Sequence, residues 1–376
     1  VGFYFDHNAS TPVSPEVLAT FQRVTAEVYG NPSSIHTQGQ AARLEVDRAR
    51  GLVAQWLGCE AKEIVFTSGG TEGDSLAILG APEGHVVTTA IEHPAVLASC
   101  RAKRSHTVVP VDGMGLVDPE GIRRAIRPDT TLISVMHANN ETGVIQPLEE
   151  IGAIAREAGV LLHSDGVQGA GKLAVSLRHL PVDLYAISGH KLYAPKGTGA
   201  LYVREGVKLQ SRQFGGRHER ERRPGTENVS GIAAIGEAAN WFVSHGSEEG
   251  LRLALLRDRL EQAVLERIPQ SRVNGMGAPR VPNTTNIQFP GVEGEALLIA
   301  LDLAGFAVSS GAACSSGAVT PSHVLTAMGL SAEEAKSSLR FSLGRINTGE
   351  QVDALVDVLE NAVARLRKLS PVWTNA

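Results

Sequence analysis

The stretch EIVFTSGGTEGDSLAILG, beginning at Glu63, sets the strongest limit on how this chain can fold. Residues 63–67 form a short apolar run of the kind found in a strand buried on both faces. The glycine turn SGGTEGD follows, and SLAILG then carries apolar residues at helical spacing. The same pattern recurs downstream, with strand-like runs at 85–89, 131–136, 159–163, 184–187 and 199–203. Before the third of these, LEEIGAIAREAG sets Leu148, Ile151, Ile154 and Ala155 on one helical face, and Gly159 suits the stop. Such alternation predicts an α/β fold with a largely parallel sheet covered on both faces.

The texture changes after about residue 243. A long amphipathic helix is expected over 250–268, with Leu253, Leu256, Leu260, Val264 and Ile268 near one stripe. A strand at 283–289, a helix at 294–303 and a final helix at 351–369 follow, the last with Val352, Leu355, Leu359, Val363 and Leu366 at helical spacing. A length of 376 residues is more than one core needs, so two lobes are expected, the second of α+β type.

A net charge of −5 gives no electrostatic case for binding nucleic acid or an anionic membrane. The run RHERERR at 217–223 is broken by two glutamates and reads as a solvated loop. Three cysteines, Cys59, Cys100 and Cys314, lack metal-ligand spacing and favour a reducing compartment over a disulfide framework. The most apolar window, 296–308, is too short to span a bilayer and is broken by Asp302; a cytoplasmic chain is expected.

Three features, each just past a strand, carry chemistry. SGGTEGD offers backbone N–H groups at a helix start and reads either as an anion cup or as an ordinary connection. Asp165, in SDGVQGAG, lies where ligands bind in open α/β sheets; a helix N-cap is the other reading. AISGHK at 186–191 sets Ser188, His190 and Lys191 together, where a lone lysine is often only surface charge. A phosphate cup, a carboxylate and a lysine after successive strands are together what a pyridoxal phosphate site requires. The lysine bonds the aldehyde, the carboxylate keeps the pyridine nitrogen protonated, and the N–H groups hold the phosphate.

Many motifs then fall in order along nearly the whole chain: YFDHNASTP, NPSSIH, FTSGGTEGD, IEHPAVL, HANNETGVIQP, HSDGVQGAGK, SGHKLYAPKGTGALYV, RRPGTEN, VSSGAACSSGA and SSLRFSLGR. This series resembles the fold-type I pyridoxal phosphate enzymes of aminotransferase class V, and within them the cysteine desulfurases of the NifS/IscS type. The resemblance implies a large domain over 15–248 with a mainly parallel seven-stranded sheet between helices. It implies a smaller α+β domain from 1–14 and 249–376 that carries a cysteine loop, and it implies a homodimer.

By the same resemblance, Lys191 is the Schiff-base lysine, and Asp165 is the carboxylate on the pyridine nitrogen. His93 is the imidazole that stacks on the ring and shuttles protons; without the resemblance it reads as a core histidine. Gly70, Thr71, Ser188 and His190 resemble the phosphate holders, and Thr226 the one reaching across from a partner subunit. Gln168 and Asn140 correspond to groups near the ring hydroxyl, with Asn139 the rival of Asn140. Arg340 corresponds to the guanidinium that binds the substrate carboxylate, a task suited to a bidentate fork. Arg345 is its rival, and Asn8 also faces the substrate.

The implied reaction converts L-cysteine to L-alanine and leaves sulfur as a persulfide on an enzyme thiol. Cys314, set among glycines and serines, suits that travelling role, whereas Cys59 and Cys100 read as structural. The stretch AVTPSHVLTAMGL resembles the longer loop of the NifS/IscS type, which implies delivery to an iron–sulfur scaffold protein or another sulfur acceptor. The competing expectations are a selenocysteine lyase, an aminotransferase or a β-lyase on the same pocket. A non-catalytic scaffold for sulfur-handling partners and a plain nucleotide-binding α/β protein complete the alternatives.

Overall fold

The computed structural model describes residues 2–103, 105–310, 320–370 and 373. Seven strands form the central sheet: β1 (Ile64–Thr67), β2 (His85–Thr89), β3 (His106–Val109), β4 (Thr130–Ser134), β5 (Leu161–Asp165), β6 (Leu184–Ser188) and β7 (Gly199–Val203). Their order is β1-β7-β6-β5-β4-β2-β3, and only β7 runs against the others. The sheet is therefore mainly parallel, as the sequence pattern predicts. Because β1 runs with β5 and β6, the chain leaves Thr67, Asp165 and Ser188 along one edge.

Side chains alternate between two covered faces. Ile64, Phe66, Tyr185, Ile187 and Tyr202 join one cluster, and Val65, Leu184, Ala186, Leu201 and Val203 join another. Helices α1 (Pro15–Glu27), α2 (Thr37–Leu57) and α3 (Gly70–Gly80) precede α4 (Pro94–Ala102), α5 (Pro119–Ala125) and α6 (Leu148–Ala158). Gly159 ends α6 in the left-handed region at φ 67°, so β5 begins two residues later than the sequence suggests and Asp165 is its last residue. Sequence periodicity did not reveal α1, α2 or β3, all of which keep long polar faces.

The greatest departure is α7 (Val229–Arg267), one continuous helix of 39 residues where the sequence suggests a start at 250. The segment SHGSEEG interrupts the apolar stripe because it crosses between two packing environments. Upstream, Ile232, Ile235 and Phe242 pack on the central sheet; downstream, Leu253, Leu260 and Val264 enter a separate core. That second core surrounds an antiparallel sheet of β8 (Arg272–Val273), β9 (Thr284–Gln288) and β10 (Ser338–Ser342), and includes Phe5 from the chain's start. Helices α8 (Gly294–Leu303) and α9 (Gly349–Leu369) cover it. Among the described residues, no helix is long and apolar enough to cross a membrane.

Helices α2 and α7 meet so closely that a Cβ on Gly236 would lie 2.7 Å from the Cα and Cβ of Ala49. Gly236→Ala is expected to lose about 1–3 kcal/mol by overpacking. A lowered denaturant midpoint with unchanged slope is the expected result; an unchanged midpoint would show that the helices separate freely.

Candidate active site

A cleft of about 550 Å³ opens at the carboxyl edge of the parallel strands, against β10 and the N-terminal segment. Asn8, Gly70, Thr71, His93, Asn140, Asp165, Gln168, Ser188, His190, Lys191 and Arg340 all line it. A second cavity of similar volume, about 540 Å³, lies among the C-terminal elements near Arg272 and Glu333 and holds none of these groups. Chemistry, not size, picks out the cleft.

Helix α3 starts at the cleft directly after β1. Gly69 takes φ 156°, a conformation for glycine, and a Cβ on Gly70 would meet Val167 at 2.7 Å. The helix start therefore packs onto the turn after β5 and brings its free N–H groups beside Ser188. Glu72 in that first turn accepts from Ser68 N at 2.7 Å and pairs with Arg223 at 2.7 Å. Its charge is spent on the loop side.

Asp165 is buried, and its Oδ1 accepts from Val167 N at 2.9 Å. Burial pushes its pKa up, against the pull of His93, the Val167 N–H and Lys191. Polar atoms of Asp74, His93 and Asp165 lie within 4.8 Å of one another. Burial, with Asp165 and Glu92 opposite, pushes Asp74 well above the usual carboxylate range. Glu92, buried and accepting from Thr89 Oγ1 at 2.6 Å and Met136 N at 2.9 Å, is pushed up to about 8.

His93 caps α4, its Nδ1 accepting from Ala95 N at 3.2 Å. The neutral ring therefore carries its proton on Nε2. Burial lowers its pKa, with Lys191 and His323 adding to the effect and Asp165 opposing it.

Lys191 ends the short turn Gly189–Lys191 that follows β6. Its Nζ donates to the carbonyls of Asn8 at 2.5 Å and Ala9 at 2.6 Å. Burial, with Arg340 second, brings its pKa from 10.5 down to about 8. Arg340 donates through Nη2 to Asp6 at 2.6 Å and through Nη1 to Asn140 O at 3.0 Å, while its Nε is buried with no partner among the described residues. The rival Arg345 lies elsewhere, stacked 3.7 Å from the Trp241 ring centroid and paired with Glu16 at 2.8 Å. Asn139 is likewise spent, its Oδ1 accepting from Glu141 N and Thr142 N and its Nδ2 donating to Ile91 O.

Asn8 lines the cleft with its amide already committed. Nδ2 donates to Thr284 Oγ1 at 2.8 Å and Asn140 O at 3.1 Å, and Oδ1 accepts from Lys172 at 2.6 Å and Asn283 at 3.2 Å. Thr226 is exposed and does not line the cleft of its own chain. Cys314 lies outside the described residues; Ser309, five positions before it, lines the cleft. The thiols of Cys59 and Cys100, outside the cleft, are pushed up to about 12, chiefly by burial. Sequence reasoning passed over Lys172, Asp74 and Asp6, although all three stand inside quoted motifs. Nothing in their local sequence singles them out, because their partners come from distant segments.

In the free protein, competitive acetylation of Lys191 followed by mass spectrometry is expected to show proton loss near pH 8. Arg340→Met removes a nearby positive charge and should move that midpoint upward. A midpoint above 10 in the native protein, or no movement in the variant, would contradict the arrangement.

Comparison with known proteins agrees with the cleft. The model for the family described as aminotransferase class-V matches residues 3–355. A cysteine desulfurase of Gluconacetobacter diazotrophicus is 47% identical, over 99% of this chain and 96% of that protein. A solved NifS-like protein from Rickettsia africae superposes with TM-score 0.90 at 34% identity, covering 97% of this chain and 100% of that one. A structure described as SspA in complex with cysteine has TM-score 0.81 at 33% identity, over 91% and 98% of the two chains. With a match spanning strands, cleft and second core alike, the chain belongs to the aminotransferase class V family.

Proposed function

We infer that this chain is a pyridoxal 5′-phosphate-dependent cysteine desulfurase that converts L-cysteine to L-alanine and carries the sulfur away as a persulfide on Cys314. The observation that carries this reading is one cleft that gathers a half-buried lysine of lowered pKa, a buried carboxylate and a helix N-terminus. These groups fit the cofactor chemically. Asp165 lacks an ion-pair partner among the described residues and is raised by burial, so a protonated ring nitrogen is the cation it suits. The start of α3 suits a phosphate.

Gly70, Thr71, Ser188 and His190 would hold the phosphate, Asp165 would keep the proton on the pyridine nitrogen, and His93, Gln168 and Asn140 would hold the ring. When bound, the cofactor supplies the electron sink for the charge left at the substrate's α-carbon. Arg340 receives the substrate carboxylate; its guanidinium is already oriented by Asp6 and by the Asn140 carbonyl. Asn8 supports the substrate end chiefly by holding these neighbours. Lys191, neutral at a pH only slightly above 8, takes the α-proton at Nζ.

The Cys314 thiolate attacks the substrate's sulfur; the bond from sulfur to the β-carbon breaks as the S–S bond forms. Ser309 lines the cleft, and five extended residues span at most about 17 Å, which sets the reach of that thiol. Thr226, exposed on its own subunit, completes the phosphate site of a second copy in a homodimer. Residues 15–248 form the cofactor lobe, and 1–14 with 249–376 the smaller one. The persulfide passes to an iron–sulfur scaffold protein or another sulfur acceptor, in a reducing compartment such as the cytoplasm.

Incubation with cysteine and a reductant should yield alanine and sulfide in equal amounts. Cys314→Ala should keep the cofactor's absorbance and lose sulfide release by more than a hundredfold, about 3 kcal/mol in barrier terms; Lys191→Ala should lose both products. Native turnover in Cys314→Ala would instead favour a selenocysteine lyase or β-lyase that needs no mobile thiol.

A further inference from the structure

Behind Lys191 lies a small cavity lined by Lys172, His7, Thr11, Glu249 and Asn283, and Lys191 borders both this space and the cleft. Lys172 borders only the rear cavity. Its Nζ donates to Asn8 Oδ1 at 2.6 Å and to Gln168 Oε1, two amide oxygens rather than carboxylates. A protonated lysine offers donors only, so an amide that meets it turns its oxygen toward it and its NH₂ away.

The two amides depend on Lys172 to different degrees. Asn8 is also oriented by Asn283, Thr284 and the Asn140 carbonyl. Gln168 Oε1 has Lys172 as its partner, and Gln168 Nε2 spends one N–H on Asn8 O at 3.1 Å. One N–H remains for the cleft that Gln168 lines.

We propose that Lys172 is a positioning residue for the cofactor cleft: it fixes the Gln168 amide with the oxygen turned inward, so that Gln168 presents a hydrogen-bond donor. A donor stabilises an oxygen that carries negative charge, such as the ring's phenolate. An amide free to rotate can offer an oxygen instead, which repels that group. The loss of one hydrogen bond to a charged acceptor corresponds to about tenfold or more in affinity. This inference rests on the cofactor reading above.

The test is a double-mutant cycle on Lys172→Met and Gln168→Ala, titrating pyridoxal 5′-phosphate into each apoprotein. Each single variant should bind about tenfold more weakly and shift the bound cofactor's absorbance band in the same direction. The double variant should bind within about threefold of either single one, because both changes remove the same contact. Thermal midpoints of the apoproteins report folding separately. Native affinity in Lys172→Met, or losses that multiply to about a hundredfold in the double variant, would overturn the proposal. Lys172→Gln, which retains an N–H donor, serves if the methionine variant does not fold; near-native affinity is expected, and a full tenfold loss overturns the idea. Sulfide release by the unaltered chain is measured alongside: its absence rejects the desulfurase reading, whereas the affinities judge Lys172.

Discussion

Keeping a half-buried amine beside an arginine is the constraint around which the rest of this molecule is arranged. Lys191 is held by two main-chain carbonyls, those of Asn8 and Ala9, which stabilise its N–H groups without supplying a full negative charge. A carboxylate in that place would hold the lysine protonated and useless as a base. Those carbonyls belong to an N-terminal segment that is itself tied at both ends. Asn8 N donates to Ser342 Oγ at 2.9 Å, His7 N to Ser342 O at 3.1 Å and Thr11 N to His190 O at 2.8 Å. The segment thereby stitches β10 to the turn that carries Lys191, and its packing residue Phe5 enters the second core. Folding of one core fixes the electrostatics of a residue that belongs to the other.

Charges of opposite sign are sorted across the cleft, and the magnitudes decide which groups ionise. Asp74 and Asp165 approach within 4.8 Å in a buried setting. If both were ionised they would repel by about 3–4 kcal/mol at an effective dielectric near 20, so one proton is retained between them. Asp165 has the Val167 N–H, His93 and Lys191 to favour its charged form, whereas Asp74 faces two other acids. Burial raises both, and Asp165 is the one whose charged form its neighbours favour. On the other side, Lys191 and Arg340 repel each other, and Asp6 offsets part of that repulsion. An anion entering the cleft would relieve what remains.

The parts of this arrangement that were legible in the sequence share one property: their chemistry is local. Asp165, Lys191 and the SGGTEGD turn follow strands, and the run-and-turn pattern alone places them at one sheet edge. What stayed hidden depends on pairing between distant segments. Nothing local marks Lys172, whose partner Asn8 lies 164 positions away. Arg340 and Arg345 are indistinguishable by spacing; Asp6 orients one toward the cleft, and Trp241 stacks on the other. The continuity of α7 was hidden because helix periodicity records one packing partner at a time, and this helix has two in succession.

The cysteine segment illustrates how far local order extends toward an unfixed function. Its upstream root, Ser309, exchanges main-chain hydrogen bonds with Arg340, at 2.7 Å and 3.3 Å. Downstream, Ser322 Oγ donates to Glu141 at 2.5 Å, and His323 Nε2 meets the Glu92 carbonyl at 3.0 Å. Both roots are thus anchored on residues that border the cleft or its buried acids. The strand that presents the Arg340 guanidinium also fixes where the chain departs toward Cys314. A shift of β10 would displace that guanidinium and the point of departure together, preserving their relation to each other. Sulfur transfer needs that relation more than it needs a fixed position for the thiol, because attack on sulfur is governed by the distance between the held substrate and the arriving nucleophile.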